Sequence, residues 1–256
     1  MLGALAGIAA VAAGATFAGV HSMVPWSQLY GANFNGAPPG TRTLALTYDD
    51  GPNDPYTGQL LEVLHKHGVK ATFFLLGRFV SERPELARAV VQAGHAIGSH
   101  GYTHRNLIFL SSAELRRQLE RASQVIEAAT GVRPKLFRPA FGGRRPGTFS
   151  VVREFGMVPV MWRVTCYDWS AASHQSIVAR ALAKTRGGDV ILLHDGGHLK
   201  MGADRSHTVR ATGELIRRCQ DDGYRFVTVP EMMAGNGAVG PASNDGPWAS
   251  KFYSII

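Results

Sequence analysis

Cysteine is scarce in this chain: the 256 residues hold two, Cys166 and Cys219, too few for a disulfide framework, and whether they bridge each other is left open. No Gly-x-Gly-x-x-Gly and no phosphate loop follows the first strand-like run, so nucleotide binding loses its main support. Residues 1–22 have no Asp, Glu, Lys or Arg. Rich in Ala, Gly, Val, Leu and Ile, they read as an export signal, cleavable after Ser22, or as a membrane anchor. The basic residues that usually open a signal are missing, and an Ala-rich helix packed on the domain is the alternative. Acidic residues are also in deficit: 19 Asp and Glu against 27 Lys and Arg give a net charge of +8 and a pI near 9.8. Such a balance favours anionic polymers or surfaces, an acidic cell-wall glycan among them. No aromatic-rich nucleic-acid module surrounds the short basic pairs Arg116-Arg117, Arg144-Arg145 and Arg217-Arg218, so no nucleic-acid partner is expected.

What is present is a globular composition, 45% hydrophobic and 18% charged, in a chain long enough for a full core. Residues 23–42, with Gly, Pro and Asn throughout, read as a linker or wrapping arm, and 234–256 as a flexible tail. Between them, residues 43–233 alternate strand-like with helix-like runs. The strands are expected at 44–48, 71–76, 96–99, 136–138, 158–164, 190–194 and 225–229. The clearest helix starts at Ser111, where Ser111-x-x-Glu114 is a capping box and Leu115, Leu119, Ala122, Ile126 and Ala129 follow at three- and four-residue steps. A later helix puts Val209, Thr212, Ile216 and Cys219 on one face, which makes Cys219 core. Alternating strands and helices imply parallel pairing through right-handed crossovers. The expected fold is therefore α/β, a single catalytic domain built as a distorted (β/α) barrel with about seven parallel strands, or less readily an open doubly wound sheet.

Polar residues gather where strands end. The first strand runs into Asp49-Asp50-Gly51-Pro52, two adjacent carboxylates on a turn; one can face a metal while its neighbour, turned the other way, acts as a base. Asp-Asp-Gly-Pro is also ordinary turn chemistry, so the pair needs company. The third strand supplies it in Ser99-His100-Gly101-Tyr102-Thr103-His104. Histidines four apart face one point if a turn of helix begins there, and two histidines with one carboxylate suit zinc or iron with open positions. Later strand ends bring Arg138 ahead of Pro139-Ala140-Phe141-Gly142, then Asp168-Trp169, then Leu192-Leu193-His194. In a barrel all of these surround one mouth.

In these five motifs and their order, residues 43–230 resemble the polysaccharide deacetylases of carbohydrate esterase family four. The resemblance implies metal-dependent removal of acetyl groups, most often N-acetyl from N-acetylglucosamine polymers such as peptidoglycan or chitin. Carried over by motif, Asp50, His100 and His104 are the implied metal ligands and Asp49 the implied base. Arg138 would keep Asp49 ionised and oriented. Asp168 would orient His194, the implied general acid, and Phe141, Trp169 and Leu192 would contact substrate, Phe141 through its backbone N–H. The cofactor expected is a divalent ion, zinc first, and the partner an acetylated glycan. The chain is expected to act as a monomer, secreted or in the cell envelope, with a membrane tether through residues 1–22 left open.

Amide hydrolysis asks for the same parts: a polarised carbonyl, a base for water, donors for the oxyanion and an acid for the leaving amine. Three positions depart from the family's commonest pattern. Tyr48 stands for Phe, which matters little if the ring only packs; Phe141 stands for Tyr; and Thr165 stands for an additional acid, which bears on the groove wall. After the last motif, His198 or His207 is a candidate for substrate binding, and Lys200 and Arg205 could line the groove. The same chemistry would serve an O-acetyl esterase acting on xylan, and a catalytically silent glycan-binding barrel is the alternative outside enzymes.

Overall fold

In the computed structural model, residues 14 and 16–235 are described, and the chain is built around its first strand. Strand β1 (Thr43–Asp49) is buried at all seven positions, as a central parallel strand covered on both faces must be. It pairs along Leu44–Asp49 with β7 (Asp189–His194) and, on its other edge, with β2 (Thr72–Leu75) near its end and β8 (Arg225–Phe226) near its start. The sheet continues through β3 (Ala96–Ser99), β4 (Leu136–Phe137), β5 (Val158–Pro159) and β6 (Val164–Thr165) in the order β5-β4-β3-β2-β1-β7-β6. Every one of these pairs is parallel. The sheet curls into a partial barrel, so the expected α/β domain with about seven parallel strands is borne out.

Period-two alternation along β1 sorts its side chains. Leu44, Leu46 and Tyr48 pack into the layer between sheet and outer helices, with Leu60 and Leu64 of α1 (Tyr56–Lys66) and Leu215 and Ile216 of α7 (Ser206–Asp221). Ala45 faces the barrel interior with Phe74, Phe137, Val190 and Leu192. Thr47 and Asp49 share that inner face.

The remaining helices, α2 (Gly77–Glu82), α3 (Pro84–Gln92), α4 (Ser112–Thr130), α5 (Thr148–Glu154), α6 (His174–Lys184) and α8 (Val229–Met233), complete the crossovers. Helix α4 buries the predicted stripe, is capped by Ser111 Oγ accepting from the Glu114 N–H at 3.1 Å, and stops at left-handed Gly131. Its capping box is only half made, because the Glu114 carboxylate turns to Arg117 and Gln118. The full reciprocal box belongs to Thr228 and Glu231, and it explains why Val229 opens a helix where a strand end was expected.

The predicted strand at 158–164 is two strands on opposite ends of the sheet. Between them the carbonyls of Val160 and Met161 turn inward to accept from the Arg138 guanidinium at 3.3 and 3.2 Å, so those two groups do not join a ladder. The arm covers this gap. Phe34 bridges Val160, with its N–H on the Pro159 carbonyl and its carbonyl taking the Met161 N–H, and Ala37 donates to Gly188.

The expectation of an export signal or anchor at 1–22 falls mostly outside the described residues; 16–23 are helical. No helix among the described residues is long and apolar enough to cross a membrane. The expected tail lies outside them from 236 onward. Cys166 and Cys219 are both buried and unbridged, Cys219 in the core as its periodicity predicted.

Candidate active site

Of the sequence-predicted site residues, all but Arg138, Asp168 and His207 line one groove of about 560 Å³ at the C-terminal ends of the strands. Arg138 and Asp168 stand behind its wall, buried. Asp49 ends β1 on the inner face, and strict alternation would send Asp50 outward. It does not, because Asp50 takes a left-handed backbone with φ 73°, which brings both carboxylates to one centre. The expectation that they diverge is thus corrected. Gly51 follows because nothing larger fits: a Cβ there would lie 2.0 Å from Asp195 Oδ2.

His100 and His104 also converge, but not on a helix. His100 follows the end of β3, and the chain turns back through Gly101 and His104, both at positive φ. Asp50 Oδ1 lies 3.2 Å from His104 Nε2 and 3.6 Å from His100 Nε2 and has no hydrogen-bond partner. Burial lowers the pKa of His100 to about 3 and of His104 to about 2, so both imidazoles are neutral. His100 donates Nδ1–H to the Arg138 carbonyl at 2.8 Å, leaving its Nε2 lone pair free. Two neutral imidazoles facing an orphaned, buried carboxylate oxygen fit a divalent cation, and Asp50, His100 and His104 could hold one. Burial pushes Asp50 up to about 7, a cost that a cation at Oδ1 would offset.

Asp49 is held differently. Its Oδ1 accepts from Arg138 Nη1 at 2.7 Å, and the same nitrogen donates to Thr47 Oγ1 at 2.8 Å. Arg138 is fully buried, its guanidinium over the Phe74 ring. Burial raises the Asp49 pKa and Arg138 opposes it most. Replacing Arg138 by Met leaves the Asp49 carboxylate buried and alone, so urea unfolding should show a loss of roughly 3–5 kcal/mol. Adding Asp49→Asn should return part of it; equal loss in single and double variants would mean that charge is not what Arg138 serves.

Across the groove His194 donates Nδ1–H to Asp168 Oδ1 at 2.9 Å. Asp168 Oδ2 takes the His194 backbone N–H at 2.8 Å and the Thr208 hydroxyl at 2.9 Å. Burial alone would raise the Asp168 pKa, yet the His194 charge and these hydrogen bonds outweigh it and lower it. Burial likewise disfavours a charged His194, but Asp168 prevails and lifts its pKa to about 9. The Trp169 ring stands edge-on to His194 with centroids 5.1 Å apart.

The three departures now have places. The Tyr48 hydroxyl donates to Thr212 Oγ1 at 2.9 Å, since the Thr212 hydroxyl itself donates to the Thr208 carbonyl at 2.9 Å, so this ring does more than pack. Thr165 Oγ1 accepts from Trp162 Nε1 at 2.8 Å and fixes an indole that lines the groove. Phe141, at φ 58° and half exposed, presents its ring edge-on to His104. Positive φ at non-glycine residues, among those described, occurs only at Asp50, His104, Phe141 and Tyr167, all in or beside this groove.

Residue-by-residue reading missed Asn53. Buried just after Gly51-Pro52, it donates to the Asp195 and Ala203 carbonyls, both at 2.9 Å, and accepts the Gly202 N–H at 2.7 Å. It thereby pins the loop that follows β7. His198, Lys200 and Arg205 on that loop line the groove and His207 does not. Met23, from the N-terminal segment, reaches the groove as well, and no periodicity signals it.

The family model for polysaccharide deacetylases matches residues 36–160. A peptidoglycan-N-acetylglucosamine deacetylase of Bacillus cereus is 34% identical over 210 residues, 81% of this chain and 74% of the relative. The chain belongs to the polysaccharide deacetylase family. Among other members, a chitooligosaccharide deacetylase of Bradyrhizobium is 36% identical, covering 75% of this chain and 91% of its own length. The crystal structure of the peptidoglycan N-acetylglucosamine deacetylase Bc1960 with an N-oxidanyl-benzamide superposes with a TM-score of 0.74 at 34% identity, covering 82% of this chain and 96% of that one. This polysaccharide deacetylase is accordingly a hydrolase of amide-linked acetyl groups.

Proposed function

We propose that this deacetylase removes N-acetyl groups from N-acetylglucosamine glycans of the peptidoglycan or chitin type, outside the cytoplasm and with a bound divalent cation, zinc first. The observation that carries this is the pairing, in one groove, of the orphaned Asp50 oxygen facing two imidazoles with the His194 ring held by Asp168 opposite. The relatives named for peptidoglycan and chitooligosaccharides support the substrate class.

A cation held by Asp50, His100 and His104 would supply Lewis acidity toward the acetyl carbonyl and the attacking water. Asp49, kept in place by Arg138, takes the water's proton. The Phe141 backbone N–H donates to the developing oxyanion. His194 then gives its Nδ1-anchored ring's Nε2 proton to the departing amine, so that the leaving group is neutral. Asp49 must start ionised and His194 protonated, and their separate partners, Arg138 and Asp168, favour those opposite states. Trp169 and Leu192 wall the acetyl group, and Lys200 and Arg205 put positive charge at the groove where an acidic cell-wall glycan would lie.

The acid assignment has a pH consequence. With a pKa raised to about 9, His194 is protonated below that value and loses its proton above it, so kcat/KM should fall as pH rises through about 9. Asp168→Asn removes the charge that lifts it, and the alkaline limb should move to lower pH by about one unit or more. An unmoved limb would take the acid role from His194.

The test of the whole reading is acetate release by chelator-stripped protein, with and without zinc, from N-acetylglucosamine oligomers, peptidoglycan and acetylated xylan. Zinc-restored release from either of the first two is expected. Release from xylan alone would replace the reading with an O-acetyl esterase. No release from any of them, with metal bound, would favour a silent glycan-binding barrel.

A further inference from the structure

The two histidines facing Asp50 are oriented by different means. A metal-binding histidine usually donates its second ring N–H to a carboxylate or carbonyl, which sets ring angle and tautomer. His100 follows that rule through the Arg138 carbonyl. His104 does not: its Nδ1 is buried with no hydrogen-bond partner, and its backbone sits at φ 58°. No hydrogen bond at Nδ1 therefore sets the angle of this ring about its last side-chain bond.

Aromatic faces do instead. The His198 ring stacks on His104 with centroids 4.4 Å apart and planes at 21°, while Phe141 and His100 meet it edge-on at 4.5 and 4.9 Å. His198 is itself held. Its carbonyl accepts from Arg78 Nη2, Arg205 Nε donates to the Gly196 carbonyl at 2.7 Å, and Asn53 ties down Ala203 and Gly202 of the same loop. A stacked ring on a pinned loop restricts His104 without supplying a proton partner.

We propose that His198 is a positioning residue whose ring, stacked on His104, keeps that imidazole's Nε2 aimed at Asp50 Oδ1 and so sets the affinity of the site for its cation. This rests on the reading of Asp50, His100 and His104 as metal ligands and adds a residue to it. It also moves His198 from the substrate-binding role considered from sequence to one exerted through a neighbour.

The experiment is competition of the full chain with a chromophoric chelator for zinc, and the visible absorption of the cobalt-loaded protein, for parent, His198→Ala and His198→Phe. His198→Ala should weaken zinc by roughly tenfold or more and alter the cobalt bands. His198→Phe, which keeps a flat ring and loses the nitrogens, should restore both to near the parent. Parent-like zinc affinity in His198→Ala would overturn the proposal. So would His198→Phe behaving as the Ala variant, because the nitrogens and not the stack would then matter. A parent that binds neither ion would sink the metal reading itself, a result distinct from either.

Discussion

Asp50→Ala protein should bind no divalent cation above background and release no measurable acetate, the largest effect expected of any single change here. The reason is local. Asp50 Oδ1 is the atom to which both Nε2 atoms point, and it has no other partner. Without it two neutral imidazoles remain in a buried pocket, a donor set with neither the charge nor the third ligand that a tight site needs. Metal content after dialysis and acetate release, measured on one preparation, check the result together. Loss of activity with full metal retention would mean that Asp50 acts in some other way. Fold integrity is checked by Asp50→Asn, which keeps size and should lose affinity while leaving the unfolding free energy within about a kcal/mol of the parent.

Asp49→Asn should separate chemistry from metal. Its Oδ1 can still accept from Arg138, so the groove keeps its shape, but an amide cannot take a proton from water. The expected loss in kcat is about 10²–10⁴-fold, the usual worth of a positioned base, with zinc affinity nearly unchanged. Because the loss is in a transition-state role, KM should move little. Turnover within a few-fold of the parent would place the base elsewhere. The two variants together test the division between neighbours: one carboxylate for the cation, the other for the proton.

Much of this site is legible along the chain. Strand-end acids, histidines four apart, and Arg138, Asp168 and His194 each at the end of a strand-like run point to one mouth, because a parallel barrel puts all its strand ends on one side. The local geometry departs from these cues. His100 and His104 converge through a left-handed turn and not a helical one, and Asp49 and Asp50 converge where alternation separates them. Both depend on positive φ at non-glycine residues, which no propensity scale anticipates because the surrounding packing must hold it. The strand at 158–164 splits for a similar reason: its carbonyls serve a side chain, Arg138, that approaches from another strand.

What the sequence by itself determined is which groups are available and in what order the strands present them. The alternation of β1, the α4 stripe with its Ser111 cap and the five motifs all rest on neighbours within a few residues, where spacing alone sets direction. Tertiary structure decided the partners. Asn53 pinning the loop beyond β7, His198 lying on His104, Tyr48 reaching Thr212 and the arm at Phe34 filling the open edge each join residues more than 90 apart in the chain. Contacts at that separation depend on the curl of the whole sheet, and they leave no local periodicity to read.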